Sequence, residues 1–563
     1  MSSKRSEGNQ GYLPRGGACV SCRRRKMKCD GQHPICGQCD RAGRAEDCEY
    51  LVGQERSKVQ ILEDNISRLE ARIQELQNPV VSAAAVSLHP PYVPPGSNSG
   101  PRNNLQEPPR HVAEKILANF FHYSSEFGFF LSVRRIHRAM VDPSPPGHPN
   151  RPAPALIFAI YLWAIHISTD PAIKSNEGSY LTRAIQEAAT GLSVDHPAKI
   201  MHSIQAEVLL SSYFFANGRF FEGKYHVANA VSTALSAGLH KIRSANGGSR
   251  SSTPPPLAPP RDATEEGERI IGAWTVFTLD KAWAVALEHA PNFEHSDNPM
   301  STKVDTPWPL EMEQFEQGQL PPNVRTSHTI INFLNSVATP DLGLSSRAVE
   351  AKAAVLMERV TKFISTSSAN TNPSQVFQEF SALDGLIDQL KASIPPPNSL
   401  SQVQNPEQAR RLALGYTLLS DVTLRLHAPF VQSSETSRRK RLSAAQMILD
   451  IVISLRKRQL VHINPLIGTA WVDAAQVMYE EISNIRAMRS SGTWSGNSPP
   501  PDEQPILNTV KRALDVMAEF AAEMPLMSAS FPPLSILCDS ITDSSLLLSA
   551  FQITEIRKTY RYL

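Results

Sequence analysis

Six cysteines fall within thirty residues, in the stretch CVSCRRRKMKCDGQHPICGQCDRAGRAEDC from Cys19 to Cys48. They stand at Cys19, Cys22, Cys29, Cys36, Cys39 and Cys48, and they divide into two halves of one form: Cys, two residues, Cys, then a longer gap to a third Cys. The longer gap is six residues in the first half and eight in the second. A ligand pattern that repeats internally suggests two metal sites. Zinc bound by thiolates takes four ligands, so two ions need eight, and six cysteines fill eight places only if two sulfurs bridge both metals. A disulfide framework would need an oxidising compartment, and the first residues, MSSKRSEGNQ, lack the apolar run of a signal peptide. Two separate mononuclear zincs would be two ligands short, because His33 is the only histidine in the stretch. Copper or iron–sulfur chemistry also suits soft thiolates, but the cations between the ligands point elsewhere.

Those cations are Arg23, Arg24, Arg25, Lys26 and Lys28, between the second and third cysteines. Six thiolates and two zinc ions carry a formal charge of −2, so a module this small needs nearby cations to approach a phosphate backbone. Pinned by Cys22 and Cys29, residues 23 to 28 are expected to form a turn and a half of helix that fans its long donors outward. Arginine and lysine reach guanine O6 and N7 in the major groove, while neighbouring cations hold phosphates. Alone, a basic run reads as a solvated face or a nuclear import signal. Set inside a metal cluster, it reads as a DNA contact, with import as a compatible second use.

The pattern CxxC, RRRKMKC, HPIC, CxxC and a last Cys resembles the fungal zinc binuclear cluster family of transcription factors, including Pro34 two residues before the fourth cysteine. The resemblance implies two zinc ions per chain. Cys19, Cys22, Cys29 and Cys36 would hold one; Cys36, Cys39, Cys48 and Cys19 would hold the other, with Cys19 and Cys36 as the bridges. It also implies that the last basic residues of the first helix read a CGG triplet, which falls on Arg25 and especially Lys26, with Arg23 and Lys28 nearer phosphate. Pro34 would lie in the loop between the halves, where the family tends to use a cis peptide, a bond that an X-Pro link allows.

At 563 residues the chain accommodates about three or four domains. Its net charge of +2 hides an asymmetry. Residues 1–58 hold twelve Lys or Arg against seven Asp or Glu, a balance of +5 that leaves −3 for the rest. A nucleic-acid partner therefore belongs to the N-terminal end. Cys538 stands alone and reads as a small buried side chain. No stretch reaches the roughly 18 to 20 apolar residues of a membrane span; the best, PALIFAIYLWAIHIS from Pro154, is interrupted by His166. The expectation is a soluble, reduced, intracellular chain with no membrane partner.

In chain order, residues 1–14 read as a disordered tail, 15–50 as the zinc module and 51–58 as a linker. A heptad seam follows over 59–78, with Val59, Ile66 and Ile73 at a and Leu62, Leu69 and Leu76 at d. β-Branched a with Leu d favours a parallel two-stranded coil, so a homodimer on two half-sites of set spacing is expected. Such a stripe also suits the core face of an ordinary helix, but Asn78-Pro79 stops it and a Pro-rich linker over 79–110 leaves nothing adjacent to pack on.

The body reads as helix after helix over 111–490, with a C-terminal loop and helices over 491–563. Apolar residues recur at three and four spacings, as in Tyr225, Ala228, Val231 and Leu235, and Gly238 suits a left-handed cap. Strand alternation is nearly absent. The fold class is mainly α: a small two-zinc module, a short coiled coil, a disordered linker and a large all-α regulatory domain. Two segments, SIQAEVLLSSYFFANGRFFEGKYHVANAVSTALSAGLHKI from Ser203 and ERIIGAWTVFTLDKAWAVAL from Glu268, resemble the regulatory domain of the same family, with Asp280-Lys281 at its acid–base pair. Glu288-His289-Ala290 stand where that family commonly has a Gly-Arg-Pro turn. The basic run Arg438 to Arg441 reads as a solvated face.

Catalysis finds no support. There is no GxSxG elbow, HExxH helix, Walker loop or GxGxxG after a strand. His166, His202, His226 and His240 lie in helical patterns without acids at readable spacing, and read as core or surface residues. The reading is a nuclear, sequence-specific DNA-binding regulator of RNA polymerase II transcription that acts as a homodimer on double-stranded DNA, with a small-molecule or protein effector of the helical domain. The alternative is a helical scaffold or ligand-sensing regulator whose DNA head is secondary.

Overall fold

The computed structural model describes residues 17–50, 107–245, 257–293, 303–341, 343–367, 372–397, 402–403, 405–457, 462–491, 502–523 and 525–526. The heptad seam Val59, Leu62, Ile66, Leu69, Ile73 and Leu76, the linker at 51–58, the Pro-rich linker up to residue 106, the tail at 1–14 and Cys538 lie outside the described residues; the last four residues read as linker are ordered, with Glu107 bonded to Arg151 and Arg110 opening a helix. The chain divides into two compact units, residues 1–102 and 103–563.

In the first unit, helix α1 (Val20–Arg24) and helix α2 (Gly37–Arg41) are followed by a 3₁₀ turn (Ala45–Asp47). Among its described residues no apolar core of ordinary size forms; five cysteines are the buried side chains, with Ala18, Ile35, Cys48 and Tyr50 packed around them.

The second unit is helical, and among its described residues the only strand-like pairing is an isolated bridge between Ser244 and Thr326. Helix α3 (Arg110–Tyr123) and helix α4 (Val133–Met140) lead to helix α5 (Pro154–His166). This is the most apolar stretch of the sequence, and Ala155 through Ile165 are all buried. It is the central helix of the first layer, and no helix among the described residues is long and apolar enough to cross a membrane. A short α6 (Pro171–Lys174) precedes α7 (Glu177–Thr190), which packs along α5. Helix α8 (Lys199–Ala216) is buried from Met201 onward and pairs with α9 (Phe220–Ser236). Gly223 of α9 lets the two approach, since a Cβ there would fall 2.5 Å from the Phe215 ring. Gly238 has φ +75 and ends α9 as the left-handed cap that the sequence predicts.

Buried polar groups tie the loops to these helices. Gln205 accepts hydrogen bonds from the Phe130 N–H at 2.7 Å and donates to the Gly128 carbonyl at 3.2 Å. Glu126 takes Arg410 Nε at 3.0 Å on one oxygen and the Asn464 N–H at 3.1 Å on the other. Such groups are tolerated inside only because each is paired.

Helix α10 (Ala263–Ala286) is capped by Asp262, whose side chain accepts from the Glu265 N–H. Its Trp274 donates to the Pro307 carbonyl at 2.7 Å. Asp280 and Lys281, the acid–base pair of the sequence reading, act on one turn. Asp280 accepts from the Asn292 N–H (2.9 Å), Asn292 Nδ2 (2.8 Å) and the Phe293 N–H (2.8 Å). Lys281 donates to the Phe293 carbonyl and to Glu358 at 2.7 Å. The preceding turn is made without glycine: Glu288 takes φ +54, and the His289 N–H returns to the Ala284 carbonyl at 2.9 Å.

Short helices α11 (Met312–Glu316) and α12 (Thr329–Leu334) precede α13 (Ser346–Ser367), α14 (Pro373–Ala392), α15 (Pro406–His427), α16 (Glu435–Lys457), α17 (Leu466–Ser491) and α18 (Gln504–Glu523). Helix α13 packs on α10 and α15, and α15 packs on α16 and α17. Leu507, Val510, Ala513, Leu514, Met517 and Phe520 of α18 enter the same core.

The basic run at 438–441 differs from its sequence reading as a solvated face. Lys440 bonds Asp384 (2.8 Å) and Asp388 (2.7 Å) of α14, Arg441 pairs with Glu480 of α17 at 2.8 Å, and Arg438 reaches Glu481. Acids from two neighbouring helices meet three of the four cations, while Arg439 stays 71% exposed beside Glu435 of its own helix.

Replacing Asp280 with Ala leaves three donors without their acceptor. The expected cost is about 3–5 kcal/mol, seen as a lower urea midpoint of the full chain at unchanged slope. A loss below about 1 kcal/mol would show that the turn is held elsewhere.

Candidate metal centre and nucleic-acid interface

The two cysteine halves fold as a repeat. Cys19 is the N-cap of α1 and its sulfur accepts from the Cys22 N–H at 3.4 Å; Cys36 is the N-cap of α2 and its sulfur accepts from the Cys39 N–H at 3.3 Å. Both helices are one turn long and close alike. The Met27 N–H returns to the Cys22 carbonyl at 2.9 Å and the Lys26 N–H to the Arg23 carbonyl at 3.2 Å; in the second half Arg44 N–H returns to Cys39 and Gly43 N–H to Asp40, at 2.9 and 3.0 Å. These are paired Schellman closures. Their left-handed position holds Gly43 at φ +62 in one half and Lys26 at φ +55 in the other.

That corrects the expected turn and a half of helix over residues 23 to 28. Helix α1 stops at Arg24, Arg25 is its C-cap, and Lys26 is turned out by the left-handed step. Arg23, Arg24, Arg25, Lys26 and Lys28 are all exposed, and so is Met27 at 45%. Arg23 donates to the Ala18 carbonyl at 3.1 Å, which fixes its stem against the module. A lysine in left-handed backbone costs energy that glycine would not, and such strain clusters at working sites.

The sulfurs of Cys19, Cys22, Cys36 and Cys39 lie together and buried. Cys19–Cys36 and Cys19–Cys39 are 3.8 Å apart, Cys22–Cys36 is 3.6 Å and Cys22–Cys39 is 3.9 Å. All are far outside disulfide length. Sulfurs that share a zinc at Zn–S bonds near 2.3 Å lie about 3.8 Å apart, so these spacings suit thiolate zinc, although the set brings together Cys22 and Cys39, which the expected ligand split gives to different ions. Cys29 groups with Cys36 and Asp30, and Cys48 Sγ accepts from the Cys36 N–H at 3.2 Å. Cys36 is thus in reach of both halves. Burial raises the Cys19 thiol and pushes the Cys22 thiol up to about 12, with the Cys36 and Cys39 sulfurs adding to both and the Cys19 sulfur opposing the rise at Cys22. Crowded sulfurs shed their protons together only when cations replace them.

Two supporting residues escaped the sequence reading. Tyr50, to which the sequence reading gave no role, donates to the Gln32 carbonyl at 3.0 Å, stands 3.6 Å from Cys29 Sγ and packs on His33 with ring centroids 3.9 Å apart. Asp30 accepts from the Gly37 N–H at 2.9 Å and so ties the two halves. The His33–Pro34 bond is cis, as the resemblance implied.

Residues 17–57 match the fungal Zn(2)-Cys(6) binuclear cluster domain, and residues 117–365 match the fungal specific transcription factor domain. The chain thus carries both the cysteine domain of the fungal zinc binuclear cluster family, which binds two zinc ions, and the helical domain of fungal transcription factors. It is similar to the heme-responsive zinc finger transcription factor HAP1 of Saccharomyces cerevisiae, 32% identical over 93 residues, which is 16% of this chain and 6% of that protein. It is also similar to transcription factor FBD3 of Gibberella moniliformis, 38% identical over 63 residues, 11% of this chain and 8% of the other. The chain thus covers under a tenth of the length of these relatives. The family match points away from enzymatic function.

The histidines weighed for catalysis are core residues with partners that the sequence spacing hid. His166 meets Glu177 at 2.7 Å and His226 meets Glu207 at 2.6 Å. His202 accepts from the Ala153 N–H at 3.1 Å.

Lys26→Gly is expected to stabilise the zinc module by about 0.5–1 kcal/mol, because glycine adopts the left-handed turn without strain while giving back some chain entropy. Gly43→Ala should cost a similar amount, with open space around it and only the backbone to blame. Thermal melting of the zinc-loaded chain, followed by cysteine–metal absorbance of a cobalt-substituted sample, reads both. Equal melting of all three would remove the strain argument.

Proposed function

We propose that this chain is a nuclear, sequence-specific DNA-binding regulator of RNA polymerase II transcription that reads CGG-type half-sites as a homodimer. The observation that carries the reading is the exposed, strained Lys26, turned out of a buried thiolate cluster beside Arg23, Arg24 and Arg25. In this reading Cys19, Cys22, Cys29 and Cys36 hold one zinc, Cys36, Cys39, Cys48 and Cys19 hold the other, and the sulfurs of Cys19 and Cys36 are shared. The metals supply the positive charge that keeps the thiolates packed and so hold the α1 closure rigid. Arg25 and Lys26 face guanine edges; Arg23, Arg24 and Lys28 hold phosphates. The relatives are named as transcription factors, which supports the same reading. The seam from Val59 to Leu76 supports pairing of two copies, and the charge excess of the first 58 residues supports a polyanionic partner.

Lys26→Ala is expected to weaken binding to a duplex with paired CGG triplets, with about 1–3 kcal/mol of lost discrimination at one guanine. Competition binding at fixed salt against scrambled duplex measures it. Equal losses on both duplexes would sink the base-reading role and leave Lys26 a phosphate contact.

Native mass spectrometry of the full chain should count two zincs, and Cys19→Ala or Cys36→Ala should cost both, since each removes a ligand from both metals. Retention of two zincs in either variant would overturn the bridging assignment.

A further inference from the structure

Four elements of the helical unit bring charged side chains to one place. Glu126 comes from the 3₁₀ turn Ser124–Phe127, Glu311 from the segment before α11, Arg347 and Glu350 from α13, and Glu407, Arg410 and Arg411 from α15. Helices α10 and α17 also face this place, with Thr275, Thr278 and Leu466, which carry no charge. Three guanidiniums therefore stand against four carboxylates. One carboxylate is in excess, and an excess charge inside a protein is neutralised more cheaply by a proton than kept.

The hydrogen bonds single out which one. Glu126 accepts from Arg410 Nε, from the Ser125 hydroxyl at 3.0 Å and from the Asn464 N–H, and these donors oppose the rise that its burial causes. Glu311 accepts from the Ser346 N–H at 2.9 Å, and Glu407 accepts from Arg411 Nε at 3.2 Å. Against the burial that would raise them, Arg347 and Arg411 hold both of these carboxyls below the ordinary range. Glu350 has no such support. Its Oε1 is buried without a hydrogen-bond partner, and Arg411 Nη1 stands 3.6 Å away, beyond bonding distance. Arg347 faces elsewhere, with Nε 3.4 Å from Glu311 and Nη2 4.0 Å from Glu407. A cavity of about 60 Å³, roughly the volume of two waters, is lined by Glu350, Arg347 and Arg411 and keeps the cations from closing on the carboxyl. Burial, which the two arginines only partly offset, carries the Glu350 carboxyl up to about 7.

We propose that this cluster is a proton switch: one proton, carried by Glu350, balances its charge, and loss of that proton leaves an uncompensated carboxylate between α13 and α15 and loosens their packing. An acid that holds its proton more tightly in the folded chain than in the unfolded one stabilises the fold at low pH and gives up that stability as the pH rises through its folded value. The window here runs from the ordinary 4.5 to about 7.

The test follows urea unfolding of the full, zinc-loaded chain by helical circular dichroism from pH 5.5 to 8. Glu350→Gln fixes the neutral form in nearly the same shape, and pH effects on the zinc module are common to both chains. The ratio of folding constants, variant over wild type, should rise by up to tenfold per pH unit toward pH 7 and level off above it. Glu407→Gln, at a side chain 44% exposed, removes a different carboxylate and restores the balance, so its own transition should move down by at least one pH unit. A ratio that stays flat across the range, or a Glu407→Gln chain that keeps the wild-type transition, would overturn the switch. The infrared band of a protonated carboxyl, present in the wild-type chain at pH 6 and lost in Glu350→Gln, reads the proton without reference to stability; a band that survives at full strength in the variant would overturn it too.

Discussion

Sulfur crowding is the constraint on which the N-terminal unit depends. Sulfurs 3.6–3.9 Å apart cannot all be thiolates without cations among them, and once metals provide those cations no apolar core is needed. Thirty residues with two one-turn helices would otherwise bury too little surface to fold. The same constraint explains why the basic side chains all point outward: the interior is already filled by ligands, and only the surface is left for charge.

The helical unit solves a different problem. Its core is apolar enough to hold itself, yet ionised groups lie in it and along its edges. Glu126 with Arg410, Lys281 with Glu358, and the run at 438–441 with the acids of α14 and α17 each join elements distant in sequence. Buried ion pairs of this kind contribute little net stability, but breaking one is costly. Their effect is to select one arrangement of helices over near alternatives.

Legibility followed distance along the chain. The cysteine ligands could be read because metal coordination repeats at spacings of two to eight residues. The helical body could be read because apolar period is local, and Gly238 as a cap because a left-handed residue is a local property. What lay hidden was pairing across the fold. Tyr50 reaches Cys29 over twenty-one residues, His226 meets Glu207 over nineteen, and Lys440 meets Asp384 over fifty-six. No spacing rule covers such distances. The end of α1 was misjudged for a related reason: a basic run suits a helix by propensity, but the backbone closure onto Cys22 and Arg23 overrides it.

By itself the sequence determined the number and softness of the ligands, the sign of the charge around them and the helical character of the body, since each depends on residue type and near neighbours. Tertiary structure alone decided that Lys26 is the residue turned outward, that Tyr50 covers a ligand, and that Lys281 pairs with Glu358. Those outcomes depend on which distant groups share a buried space, and burial makes an unpaired charge or donor too costly to leave to chance.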